Sequence, residues 1–410
     1  MLSDEFITKI EGHGALHIDW DKNEAKLKVL EGERLFEGML EGRTPEEAHW
    51  ITPRICGVCP VAHNLASVAA CEDAFGITPN QTTILLRKLM MAGQMIQSHF
   101  LHLFFLSLPD YIGIDRGTEL NKKYPKAFQM ALDLKEVSDG IVQTVAGRNV
   151  HPTTTTIGGF HKIPSKNSLA ALSEMLKKTR EAAEKTAKLF LSLNYPQLKV
   201  DLEFISQKDG EIVSNKNDKS PIKEYKKDIE EEVKDYSTAK FGRYKKREVM
   251  VGALSRMANL DAKKESGLDY QNPFHNNLAQ AIEILLYHEQ AENLVGQLMA
   301  SELDAGIAVK PESFDPAQDK SFIGIGAVEA PRGGLYHEFH INPSTALRAS
   351  ENYIITYANI ITPTVQNLTS IEKSANALLE QHKNRPLEEK KHLLEMLVRA
   401  YDPCITCATH

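Results

Sequence analysis

Positions 5–31 alternate between polar and apolar residues, as in "ALHIDWDKNEAKLKVLEG". That period of two predicts a short antiparallel β unit at the start of the chain. The spacing then changes to that of helices. "AHNLASVAACEDAF" predicts one, and longer patterns run over 81–107, 168–193, 276–303 and 387–400. In the second of these, Leu169, Leu172, Leu176, Ala183, Ala187 and Phe190 recur at helical spacing. The last places Leu393, Met396, Leu397 and Ala400 on one face and stops at Asp402-Pro403. Between 195 and 248 lies a mixed-sign charge run, "KNDKSPIKEYKKDIEEEVKDY". It predicts a solvated surface excursion.

Composition narrows the class. The 410 residues are 42% apolar and 25% charged, enough for a large globular core. Length alone allows two or three domains. A formal net charge of −7 argues against nucleic acid as a partner. The richest apolar stretch, "FLHLFFLSL" (100–108), is short and contains His102, so the chain is not expected to span a membrane. The opening "MLSDEF" has no signal-peptide layout, and a cytoplasmic location is expected.

There are five cysteines: Cys56, Cys59, Cys71, Cys404 and Cys407. Four form two C-x-x-C pairs, which suggests metal or redox chemistry rather than a disulfide framework. Cys71, in "ASVAAC", is expected to be a packed core thiol. Neither pair sits in the βαβ context of a thioredoxin-type motif. The pairs stand near opposite ends of the chain, so a shared four-thiolate site requires the chain to fold back on itself. Structural zinc is the simplest occupant of such a site. Thiolates also suit nickel, iron and Cu(I), and spacing does not choose among them.

"RICGVCPVAH" (54–63) and "DPCITCATH" (402–410) together resemble the paired signatures of the [NiFe]-hydrogenase large subunit. "TKIEGHG" (8–14) is similar to the family's N-terminal motif, with Lys9 where arginine is usual. "SHFLHLFFLSLPD" (98–110), "GRNVHPTTTTIGGF" (147–160), "EAPRG" (329–333) and "ITPTVQN" (361–367) also match. "VMVGALSRM", "NPFHNNLAQAIEI" and "VRAYDPCITC" most resemble the cytosolic NAD(P)-linked hydrogenases of the sulfhydrogenase type. The resemblance implies one large-subunit domain over 1–410 that is mainly α (α+β). A central bundle of long helices would carry small peripheral antiparallel sheets. Its parts would be a β-rich start (1–50), the first cysteine motif with helices (51–195), the charged excursion (196–248), and helices with the second cysteine motif (249–410).

The resemblance also implies a Ni–Fe(CN)₂(CO) centre. Cys56 and Cys404 would be terminal nickel ligands, and Cys59 and Cys407 would bridge to iron. His63 would hydrogen-bond a bridging sulfur. Arg332 would hold a guanidinium above the metals, with Asp110 and Asp402 around it. Thr364 would donate to a cyanide, and Glu11 would accept protons beyond Cys404. A magnesium ion, or iron, would lie near the C-terminus on Glu37, His410 and the carbonyl of Ile360. Precursors of this type are cut after that histidine, so His410 is expected to be a mature end or that of a chain made without an extension.

The implied reaction is reversible heterolytic cleavage of H₂, with the proton leaving through the Cys404 thiolate to Glu11. No cysteine remains for an iron–sulfur cluster and no dinucleotide motif is present. A small subunit with [4Fe–4S] clusters is therefore required, docking near "GGFHK" (158–162), and flavin-bearing subunits would reach NAD(P). Other readings are an F420-reducing or heterodisulfide-reductase-linked hydrogenase and a membrane-docked energy-converting one. A non-catalytic zinc scaffold is more remote, since such relatives generally lack the four cysteines.

Overall fold

The computed structural model describes residues 1–260, 267–306, 321–344 and 353–410. Four long helices form the centre: α4 (Gln81–Leu101), α7 (Pro125–Ala146), α8 (Lys166–Leu191) and α11 (Asn276–Ala300). α4 packs on α7 and α11, and α8 closes the ring against the same two. α8 shows why the sequence was legible: Ser165 caps its first turn, and Leu169, Leu172, Leu176, Ala183 and Phe190 face the bundle.

The helix predicted over 81–107 is interrupted. α4 ends at Leu101, a wider π-type turn spans His102–Ser107, and α5 (Leu108–Ile112) resumes. Pro109 is the physical cause, since it has no N–H for the ladder and crowds the carbonyl four residues back. α7 and α12 (Pro363–Gln381) were not read from the sequence. α12 buries Gln366, Asn367, Thr369, Ser370 and Ser374 beside its apolar residues, so no clean apolar stripe marks it.

Small sheets surround the bundle. β1 (Leu2–Ile7), β2 (Gly14–Asp19) and β3 (Glu24–Val29) form the predicted antiparallel meander. β4 (Thr155–Thr156) and β5 (Gly159–Phe160) make a tight hairpin. The 196–248 segment is not a solvated excursion. It folds as β6 (Glu203–Lys208), β7 (Glu211–Ser214) and β8 (Lys219–Pro221), then the turn α9 (Tyr225–Asp228), β9 (Ile229–Glu232) and β10 (Phe241–Tyr244). Ile205, Ile212, Tyr225, Ile229 and Tyr244 form a small core there with Tyr336 and Ile361. The charged residues between them had masked this inward-facing set. β11 (Val249–Met250) joins β6 in parallel and leads into α10 (Ala253–Asn259).

The third sheet, β12 (Phe322–Ala330), β13 (Gly333–Pro343) and β14 (Tyr353–Ile361), is antiparallel. α3 (Pro60–Phe75) lies on β12 and β13. The contact is close: a Cβ on Gly326 would stand 2.0 Å from the Ala66 oxygen, and one on Gly324 1.9 Å from that of Ala70. The remaining elements are α1 (Phe36–Leu40), α2 (Pro45–Ile51), α6 (Leu120–Lys123), α13 (Leu387–Ala400) and α14 (Ile405–Ala408). Among the described residues no helix is long and apolar enough to cross a membrane.

Candidate metal centre

Cys56 ends the 3₁₀ turn Thr52–Ile55 in an extended conformation, and Cys59 caps α3, with Pro60 opening the helix. Cys404 stands at the start of α14 and Cys407 lies within it. The fold brings both pairs together. Their four Sγ atoms are buried and lie within 4.8 Å of one another. Cys56 is 3.2 Å from Cys404, Cys59 is 3.3 Å from Cys407, and Cys404 is 3.0 Å from Cys407. Sulfurs bound at about 2.3 Å to one ion lie no more than about 4.6 Å apart, and the three separations of 3.0 to 3.3 Å fall inside that reach, so the spacing fits shared coordination. Burial pushes the Cys404 and Cys407 thiols well up. Hydrogen bonds from Cys404 and its neighbours, helped by the charge of Arg332, push Cys56 well down. Metal coordination removes protons from such thiols. A buried set of soft donors with a guanidinium alongside fits a nickel–iron centre.

The C-terminus is tied down by the N-terminal motif. Glu11 and Cys404 form a parallel bridge, and Ile405 N–H donates to the Glu11 carbonyl at 3.0 Å. The Glu11 carboxylate accepts the Thr406 N–H at 3.1 Å and the Thr406 hydroxyl. Arg34 donates to the carbonyls of Ile55 and Thr406, so one guanidinium joins the two cysteine motifs. Gly12, at φ 84°, is needed where the chains cross, because a Cβ there would meet the Ile405 Cβ at 2.6 Å.

Arg332 is buried and held from three directions. It donates to the Asp402 carbonyl at 2.6 Å, the Asp402 carboxylate at 2.8 Å and Ser98 Oγ at 3.3 Å. Asp402 is in the left-handed region, φ 51°, and Gln280 donates to its second oxygen at 3.0 Å. Asp110 is not drawn to Arg332, contrary to expectation. Its carboxylate takes Arg399 at 2.7 Å and Lys9 at 2.5 Å, and none of its hydrogen bonds among the described residues runs to Arg332. Arg399 also donates to the Thr8 carbonyl, so this pair secures the N-terminal motif instead. Thr364 Oγ1 accepts the Cys404 N–H at 3.0 Å, leaving its own O–H free to donate. His63 Nε2 lies 3.8 Å from Cys407 Sγ, and burial pushes the ring down to about 3.

Glu37, Ile360 and His410 also converge. Glu37 accepts the Ile360 N–H at 2.7 Å, and His410 Nε2 lies 2.7 Å from the Ile360 oxygen. Glu231 and Lys240, 3.3 Å apart, line the same hollow with Glu37 and His410. Sequence reasoning missed both because they belong to the charged segment.

The profile of the nickel-dependent hydrogenase family matches residues 34–137 and 204–410. The chain belongs to this family. As a hydrogenase large subunit it is similar to the alpha subunit of sulfhydrogenase 1 from Pyrococcus furiosus, 35% identical over 99% of this chain and 97% of that one. It is 31% identical to a subunit of the F420-non-reducing hydrogenase of Methanothermobacter marburgensis, over 100% and 94% of the two chains. The fold matches that of a NAD⁺-reducing [NiFe]-hydrogenase in the H₂-reduced state, with a TM-score of 0.84 and 24% identity across 100% and 99% of the chains. The chain is thus the catalytic large subunit of a [NiFe]-hydrogenase, an oxidoreductase. Ser98, Gln280, Arg34 and Thr406 also belong to this hydrogenase site and were missed, because a hydroxyl, an amide or a surface-type arginine carries no sequence signal until the fold aims it.

Proposed function

We propose that Cys56, Cys59, Cys404 and Cys407 hold the nickel–iron centre, with Cys59 and Cys407 bridging and the iron carrying carbon monoxide and cyanide. When bound, that centre supplies the place where H₂ is split heterolytically. The residues around it handle charge and protons. Arg332 keeps a cation fixed beside the sulfurs, and Asp402 and Ser98 prevent it from swinging away. Thr364 donates toward a cyanide. Thr406 Oγ1 lies 3.7 Å from Cys404 Sγ and donates to Glu11. A proton on the Cys404 sulfur can pass to that hydroxyl as the hydroxyl proton passes to Glu11. Glu37, His410 and the Ile360 carbonyl hold the magnesium, or iron, near the C-terminus.

Electrons must leave the chain, because the only cysteine beyond the four of the site is Cys71, and one buried thiol cannot hold an iron–sulfur cluster. An iron–sulfur small subunit takes them, docking on Gly158–Lys162. The Gly158 N–H donates to Glu72 at 2.7 Å, and Arg87, paired with Glu72, reaches the Thr156 carbonyl, so the hairpin is anchored to α3. Flavin subunits then pass the electrons to NAD(P), a reading supported by the likeness in fold to a NAD⁺-reducing [NiFe]-hydrogenase. F420-type acceptors are the second reading, raised by a coenzyme F420 hydrogenase alpha subunit 26% identical to this chain.

The convergence of four sulfurs from the two chain ends carries this proposal. The purified complex should contain nickel and iron, show infrared bands of carbon monoxide and cyanide, and reduce NAD(P) under H₂. Cys404→Ser should lose nickel and H₂ oxidation together. Zinc alone, or full activity in C404S, would overturn the assignment.

A further inference from the structure

Behind His63 lies a series of hydrogen bonds that none of these roles uses. His63 Nδ1 is 3.2 Å from His337 Nε2, and His337 Nδ1 is 3.0 Å from Ser67 Oγ. Ser67 Oγ is 2.7 Å from Thr52 Oγ1, which is 3.2 Å from the carbonyl of His63 itself. At the other end His63 Nε2 faces Cys407 Sγ at 3.8 Å. All five side chains are buried. The series closes on the backbone of its own first member, and a carbonyl cannot take a proton onward, so this is no exit route.

Counting protons leaves two arrangements. Both rings are buried and hydrogen-bond no carboxylate, so each is neutral with one N–H. Four side chains hold four protons for five contacts, so one contact goes without. In the first, Thr52 gives up the His63 carbonyl, to which its hydroxyl can only donate, and donates to Ser67, Ser67 to His337 Nδ1, and His337 Nε2–H to His63 Nδ1. His63 must then carry its proton on Nε2, toward the sulfur. In the reverse arrangement every donor turns round and His63 presents a bare lone pair to Cys407. A metal-held thiolate has no proton to offer that lone pair, so two electron-rich atoms would face each other. The first arrangement prevails once Cys407 is a ligand, because a bond from N–H to a charged thiolate is stronger than the neutral bond from Thr52 to the His63 carbonyl that it gives up.

We propose that His337 is a positioning residue, which accepts from Ser67 and donates to His63, so fixing the His63 N–H on the Cys407 sulfur. This rests on the reading of Cys407 as a metal ligand. An N–H aimed at a thiolate draws electron density from it, and hence from the iron that the sulfur bridges.

The test uses the assembled complex and its carbon monoxide and cyanide infrared bands. His337→Phe removes the donor to His63 and should move the bands to lower wavenumber at full nickel and iron content. His337→Gln keeps an N–H within reach and should move them back toward their original position. Neutron diffraction of the deuterium-exchanged, unaltered complex should show deuterium on Nε2 of both rings, whether or not the variants fold. Deuterium on His63 Nδ1, or bands unmoved in a fully loaded H337F, overturns the proposal. If the unaltered complex shows no such bands at all, the metal-centre reading falls and this inference falls with it.

Discussion

Arg332 and Asp402 show how much one side chain depends on its partners here. The guanidinium is fixed by three bonds, two of them to Asp402, which also precedes the second cysteine pair by a proline. Lysine could keep the charge but not the fork that reaches the Asp402 carbonyl and carboxylate together. Arg332→Lys should therefore lower H₂ oxidation by about 10²-fold or more, the scale of losing one preorganised charge contact. Nickel content and infrared bands should stay unchanged, since no ligand is touched. A variant above a tenth of the original rate would show that charge alone suffices. At this scale the meeting of the cysteines, Arg332, Glu11 and Thr364 at one place was legible, because each sits in a short motif. His337, Arg34, Ser98 and Gln280 were not. The contacts that bring them to the site join residues 122 to 372 positions apart. Asp110 was legible as important, but its partners are Arg399 and Lys9.

The element that sets the site is α3, which starts just after Cys59 and meets β12 closely at two glycines. Gly324 and Gly326 allow the approach, and this determines where the helix start, and so Cys59, stands. Gly326→Ala would drive a methyl group into the Ala66 carbonyl and should destabilise the protein by about 3 kcal/mol or more, the upper range for overpacking. Incorporated nickel should fall with it. Gly296 is the control. It lies inside α11, and a Cβ added there would meet nothing within 4 Å, so Gly296→Ala should stabilise by about 1 kcal/mol through helix propensity. Denaturant melts and metal analysis check both, and a neutral G326A would show that α3 can shift without harm to the site. Periodicity disclosed α3, α4, α8, α11 and α13. It did not disclose α12 or the strands of 196–248, where buried amides and hydroxyls or flanking charges blur the apolar pattern.

At the scale of the whole molecule, the two chain ends meet in one buried site, and the surrounding layers carry buried histidines whose neutrality links folding to pH. Burial, then the charge of His161, holds His49 down to about 4. Burial, then Arg180, does the same for His288. An unfolded histidine titrates near 6.5, so between pH 6.5 and 4 the unfolded chain binds more protons than the folded one. Stability is therefore complete above that window and falls as pH drops through it, by about 1.4 kcal/mol per unit for each ring. From pH 6.5 to 5 that is about 2 kcal/mol per histidine, or about 2 °C in Tm for a chain of this length. Carboxylates do not explain a loss in this range. Burial opposes ionisation of Glu283, yet Arg256 draws it down to about 2, so its contribution begins to fade only below the ordinary carboxylate range. Melts of the complex at fixed scan rate should show Tm falling between pH 7 and 5. His288→Gln, which can still meet Thr179 in place of the ring, should flatten the slope. A Tm that stays level over that interval, or a slope unchanged in H288Q, would mean that these rings admit protons in the folded state.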